Sequence, residues 1–288
     1  MRVVWQLLAV AAVSFVGGQA LAAVDGNWFL TLVVGLLTAV AAVPVYRWVV
    51  RRTEHRPVTE VGREGARPAF ARGALVGVTA FTGVIVNIAL LGDYTVHGVG
   101  SVASAVGLVG FMAAAAVTEE LLFRGVLLRI VEERFGTWIA LTSTGALFGT
   151  MHLFNEHATV WGALAIAIEA GGMLGASYVA TRTLWLPIGL HFGWNFAESG
   201  IFGTEVSGSG SQQGLLDATT SGARLVTGGE FGPEASIYSV LLGVLVTVVF
   251  LRLARRRGRL MPRRRPGATA DAVATGVNSR RSGLRAGK

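Results

Sequence analysis

Three short runs of this chain hold ionisable or strongly polar side chains within otherwise apolar sequence: Thr118-Glu119-Glu120-Leu121-Leu122-Phe123-Arg124, Phe148-Gly149-Thr150-Met151-His152 and His191-Phe192-Gly193-Trp194-Asn195. These residue types suit proton transfer and the stabilisation of developing charge. Glu120 and Arg124 are four apart, the spacing that puts an acid and a following base on one helix face, so they can neutralise each other. Glu119 points about 100° away around the helix and lacks that partner. Two adjacent carboxyls in low dielectric cannot both ionise cheaply and titrate in coupled steps, and a carboxyl poised in this way suits a general base. His191 and Asn195 also share a helix face, where an amide can donate to a developing oxyanion. Phe148 lies one turn before His152 and packs beside it. Each residue alone also has a structural reading, as a buried ion pair or a helix-packing histidine. Three polar faces on three apolar segments fit that reading less well. Glu169 and Glu198 sit in apolar segments too and either extend the network or line a wet cavity, whereas His55, His97 and His157 fall in or beside loops.

Elements that position such residues must live in lipid. The 288 residues are 52% hydrophobic and only 15% charged, with a mean hydropathy of +0.56, too apolar for an ordinary soluble domain. The absence of cysteine excludes a disulfide framework, a thiolate metal site and a cysteine nucleophile. The net charge of +8 sits at the ends of apolar runs, which fits membrane topology and gives no ground for a nucleic-acid partner.

A bilayer core about 30 Å thick needs roughly 20 apolar residues in a helix. On that measure about eight spans are expected, near residues 3–23, 28–50, 73–92, 101–128, 137–154, 160–181, 184–202 and 236–254, the fifth and seventh being short. The expected fold is therefore an all-α, polytopic membrane helix bundle. Arginines at positions 2, 51, 52, 56, 63, 67, 72, 129, 134 and 182, and from 252 onward, mark the cytoplasmic side, because short cytoplasmic loops retain basic residues. Both termini are then cytoplasmic. Arg2, the first apolar run and Ala20-Leu21-Ala22 resemble a secretory signal, but the run is long and further spans follow, so an uncleaved first span is expected. The membrane domain covers residues 1–254, with a motif-bearing core over 100–202 and a Gly- and Ser-rich, mobile outer loop over 203–235. Residues 255–288 form a basic tail without apolar periodicity, expected to lie against anionic lipid. No internal repeat relates the two halves, which counts against a secondary transporter.

Taken together, Glu119-Glu120-x-x-x-Arg124, Phe148-x-x-x-His152 and His191-x-x-x-Asn195 resemble the CPBP intramembrane proteases, which group the type II CAAX prenyl endopeptidases with bacterial Abi and bacteriocin-processing relatives. The resemblance covers roughly residues 100–200. It implies a bundle of about eight helices around a membrane-embedded polar cavity and hydrolysis of a peptide bond in a membrane-associated protein or peptide. It also implies that Glu119 is the catalytic glutamate and that His152, His191 and Asn195 are the other active-site members, with Glu120 and Arg124 in support. On the preferred mechanism Glu119 draws a proton from a water that His152 helps to position, and His191 and Asn195 stabilise the oxyanion. The variant is a Zn²⁺ site held by Glu119, His152 and His191; the chain has no HExxH motif. The competing class is a proton-coupled transporter or adaptor that retains the site. The basic residues are arginines apart from Lys288, which fits a bacterial plasma membrane, where a prenylated substrate is not expected.

Overall fold

The computed structural model describes residues 1–210 and 214–263. It is mostly helical, and six helices are long and apolar enough to cross a membrane: α1 (Arg2–Ala23), α2 (Trp28–Glu54), α3 (Ala66–Leu90), α4 (Val102–Phe135), α6 (Val160–Thr181) and α8 (Ile237–Arg256). Segments five and seven are helical as well, but α5 (Thr137–Met151) has 15 residues and α7 (Trp185–Asn195) has 11, too few to cross alone. Six spans, rather than about eight, therefore satisfy length and composition.

Burial ranks these helices. The apolar window of α6 is 78% buried inside the bundle, against 17% for α1 and α2 and 22% for α8, so α6 is the central helix. The perimeter helices instead expose Trp5, Phe15, Leu37, Val40, Trp48 and Leu241, a surface that only lipid solvates at low cost. The arrangement makes the chain an integral, multi-pass membrane protein.

Small residues bring the site-bearing helices together. Gly73 and Gly77 on α3 face Gly189 and Gly193 on α7, and a Cβ on Gly193 would stand 2.3 Å from the Ala74 carbonyl oxygen. Such close backbone contact is the usual way helices associate in lipid, where burying apolar surface gains little. It fixes the rotation of α7, and with it the direction in which His191 and Asn195 project.

Helix α4 corrects an expected boundary. The fourth segment does not end near 128; it continues to Phe135 as one 34-residue helix, ended by Gly136 at φ +84°, a backbone conformation that side chains disfavour. The extension also matches two of the motifs in depth. Glu119 now lies 16 residues from the end of α4 at Phe135, and His152 lies 15 residues from the start of α5 at Thr137, so both stand at about the same height above the connecting turn.

One π-helical stretch, Leu121–Leu128, begins in α4 directly after Glu120 and carries Arg124, and a second, Phe196–Ile201, directly follows Asn195 at the end of α7. The wide turn frees backbone carbonyls. Gly125 O accepts from the Tyr46 hydroxyl at 2.9 Å and from Arg129 Nε at 2.8 Å.

At the arginine-rich end the bundle is tied by ion pairs. Arg129 Nη2 and Nη1 donate to the two carboxylate oxygens of Glu54 at 2.8 and 2.9 Å. Arg56 bridges Glu54 and Glu60, Arg2 pairs with Glu133, and Arg182 with Glu132. Residues 257–263 fold back on this end: Arg257 and Arg259 donate to Ala180 O, and Met261 N donates to Thr137 Oγ1. Residues 264–288, most of the expected basic tail, lie outside the described residues.

At the opposite end, the described part of the loop expected to be mobile is packed. Its strand β2 (Leu216–Thr220) pairs antiparallel with β1 (Tyr94–Val99), from Tyr94↔Thr220 to Val99↔Leu216, with a bulge between Val96 and Gly98. Thr204, Glu205, Val206 and Ser207 are buried, as are Phe231, Glu234 and Ala235. Apolar and backbone contacts hold the segment: Gly208 N donates to Phe231 O, and His157 N donates to Gly208 O.

Candidate active site

Glu119, His152, His191 and Asn195 line one cleft of about 370 Å³, whose other walls are mainly apolar, among them Phe111, Met112, Leu122 and Met151. Four residues from three sequence motifs thus converge on one space.

His191 is the pivot. Its Nδ1 lies 3.0 Å from Glu120 Oε1, and its Nε2 lies 3.9 Å from Glu119 Oε2. Glu120 is wholly buried, and its Oε1 also accepts from Arg124 Nη1 at 2.8 Å. Arg124 Nη2 donates to Ala170 O at 3.0 Å, and the guanidinium lies 4.7 Å from the centre of the Phe148 ring. An ionised carboxylate only accepts, so Nδ1 of His191 carries a proton and Nε2 is turned toward Glu119. The Glu120–Arg124 pair expected from sequence is present, and it has a further task the spacing did not reveal, setting the histidine's tautomer.

Glu119 differs from Glu120 in environment. Its side chain is 34% exposed, against 0% for Glu120, and it faces the cleft. His152 sits at the C-terminal end of α5, where its Nδ1 meets Phe148 O at 2.8 Å. A carbonyl oxygen only accepts, so Nδ1 is protonated and Nε2 is left as an acceptor. Phe148 does pack beside His152, at 4.9 Å between ring centres. Asn195 lines the cleft, and its amide makes no hydrogen bond among the described residues.

A zinc site does not fit this arrangement. Zinc ligands must reach a common point at about 2.0–2.2 Å, and among the described residues no three His, Asp or Glu side chains are placed to hold a metal ion.

Several polar residues at the site carried no sequence motif. Glu169 and Glu198 are fully buried, and neither carboxyl oxygen has a hydrogen-bond partner among the described residues. Glu234, from the packed loop, accepts from Trp194 Nε1 at 3.0 Å and from the Ser207 hydroxyl. Polar residues in apolar segments pointed to Glu169 and Glu198; nothing in the sequence around Glu234 or Ser207 sets them apart from a solvated loop.

Residues 101–197, about a third of the chain, match the family model described as type II CAAX prenyl endopeptidase Rce1-like. The motif-bearing segment is thus similar to that family. It is the family the three motifs resemble, and the matched segment carries all of them. No curated protein and no solved structure matches the chain.

Proposed function

We propose that this protein is an intramembrane endopeptidase of the Rce1-like type that hydrolyses a peptide bond in a membrane-associated protein or peptide, with Glu119 activating the water. The observation that carries this reading is the partly exposed Glu119 carboxylate, 3.9 Å from a histidine locked by Glu120, in a cleft shared with His152 and Asn195.

The groups divide the work. Glu119 takes one proton from the attacking water, and the free Nε2 of His152 accepts a hydrogen bond that steadies it. Asn195 donates to the oxyanion as the carbonyl becomes tetrahedral, an interaction worth several kcal/mol in a dry site. Glu119 then returns its proton to the leaving amine. Glu120 and Arg124 act through His191, keeping its ring turned toward Glu119. The apolar walls of the cleft suit a substrate segment that is itself apolar.

A proton-conducting role draws support from the buried acids Glu169, Glu198 and Glu234 behind the site. One comparison separates the two readings: membrane proteomes of cells bearing the wild type and Glu119→Gln, searched for protein termini that depend on the intact carboxyl. A peptidase gives such termini. Their absence, with both variants supporting the same cellular phenotype, would discard it.

A further inference from the structure

Behind the main cleft lies a second, small cavity of about 10 Å³, the space of roughly one water molecule. Its polar lining consists of His152, His191, Asn195, Ser207 and Glu234. Ser207 also lines the main cleft, so it stands on the wall common to both spaces.

Ser207 is held with unusual care. Its φ is +52°, a left-handed conformation that strains a non-glycine residue and tends to persist at functional sites. Asn155 Nδ2 donates to its carbonyl at 2.6 Å, and its hydroxyl donates to Glu234 Oε2. Glu234 Oε1 is taken by Trp194 Nε1, a group that can only donate. Both Glu234 oxygens therefore face donors. The only hydrogen of the Ser207 hydroxyl is therefore committed to Glu234, and toward the cavities its oxygen can only accept.

We propose that Ser207 is a further catalytic residue, accepting a hydrogen bond from the attacking water, and that Glu234 is its positioning residue, fixing the hydroxyl as an acceptor. Water has two protons; with Glu119 taking one, the other is shared between the Ser207 oxygen and the free Nε2 of His152, which line the same two spaces, in a three-centre hydrogen bond, and the lone pair is turned to the carbonyl. The inference rests on the peptidase reading.

Glu234→Gln tests the polarity. Trp194 still requires the oxygen, so the new NH₂ faces Ser207, donates to it, and turns the hydroxyl hydrogen into the cavity. Ser207→Gly removes the hydroxyl while suiting the positive φ. The readout is the initial rate of appearance of Glu119-dependent termini in isolated membranes, per molecule of inserted protein. Each single variant is expected to slow it about 10- to 100-fold, the cost of one oriented hydrogen bond to a reacting group. The double variant should be no slower than Ser207→Gly alone. Measured against Trp194→Phe alone, adding Glu234→Gln should cost little, because the freed amide can rotate its oxygen back to Ser207. Full rates in Ser207→Gly, or additive losses in the double variant, overturn the inference while the Glu119 dependence leaves the peptidase reading standing. Labelling of Ser207 by a fluorophosphonate, with loss of the termini, would make it a nucleophile and overturn the acceptor role. Unchanged termini in Glu119→Gln would remove the reading and the inference together.

Discussion

The bundle holds two polar clusters built from the same residue types in opposite ways. At the arginine-rich end, Glu54 accepts from Arg129, Arg56 and Gln6, and Glu60 accepts from Arg56 and Tyr46. At the site, Glu120, Glu169 and Glu198 have buried oxygens with no donor among the described residues, Arg124 pairs with Glu120, and Glu119 is left partly open to the cleft. A buried ion pair stabilises only when its geometry is good and its remaining hydrogen bonds are met. The first cluster meets that condition and serves as a clamp. The second falls short of it, which on the proposed function leaves side chains free to exchange protons with a substrate and a water.

Substitutions can break this contrast or sharpen it. The largest effect is expected of Glu119→Gln, which keeps shape but removes the base: turnover should fall about 10²–10⁴-fold with the melting midpoint of the purified protein unchanged. A parallel fall in stability would place Glu119 with the clamp. Arg129→Met should behave in the opposite way. It takes two hydrogen bonds from Glu54, which keeps Arg56 and Gln6, so the cost should stay below the about 3–5 kcal/mol of a buried charge left without a partner, read as a lower melting midpoint with activity per folded molecule retained. Glu120→Gln belongs to both groups. It leaves Arg124 without its carboxylate and frees the His191 ring, so activity and melting midpoint should fall together, and a loss of either alone would separate tasks that the geometry joins.

The smallest effect concerns Glu60. Burial alone would raise its carboxyl, but the Arg56 guanidinium and the Tyr46 hydroxyl outweigh burial and hold it below its ordinary value of 4.5. A depressed carboxyl contributes stability that is complete above the unfolded value and is lost as pH falls through the folded one. The difference in melting midpoint between wild type and Glu60→Gln should therefore be constant above about pH 5 and shrink in more acidic solution, by at most about 1.4 kcal/mol per pH unit. A gap that widens in acid would contradict the clamp.

The sequence made the site more legible than its surroundings. Charged groups are costly in lipid, so Glu119, Glu120, Arg124, His152 and His191 stood out against apolar runs. The spacing of four residues placed Arg124 on the face of Glu120 and Asn195 on that of His191. The partners of His191 were not legible, because contacts between helices follow from rotation about each axis, set here by Gly189 and Gly193 against α3. The end of α4 was misplaced because Arg129, Glu132, Glu133 and Arg134 read as a loop, although three of the four are paired: Arg129 with Glu54, Glu132 with Arg182 and Glu133 with Arg2. The loop over 203–235 concealed Ser207 and Glu234, since glycine and serine give no periodicity from which burial can be read.

The central claim is that Glu119 activates water rather than attacking the carbonyl itself. A single turnover in H₂¹⁸O, on a peptide spanning a Glu119-dependent cleavage site, tests it directly. Water activation predicts one ¹⁸O in the new C-terminal carboxylate from the first turnover and none in Glu119; a first product without the label, and ¹⁸O in the Glu119 carboxyl, would contradict it.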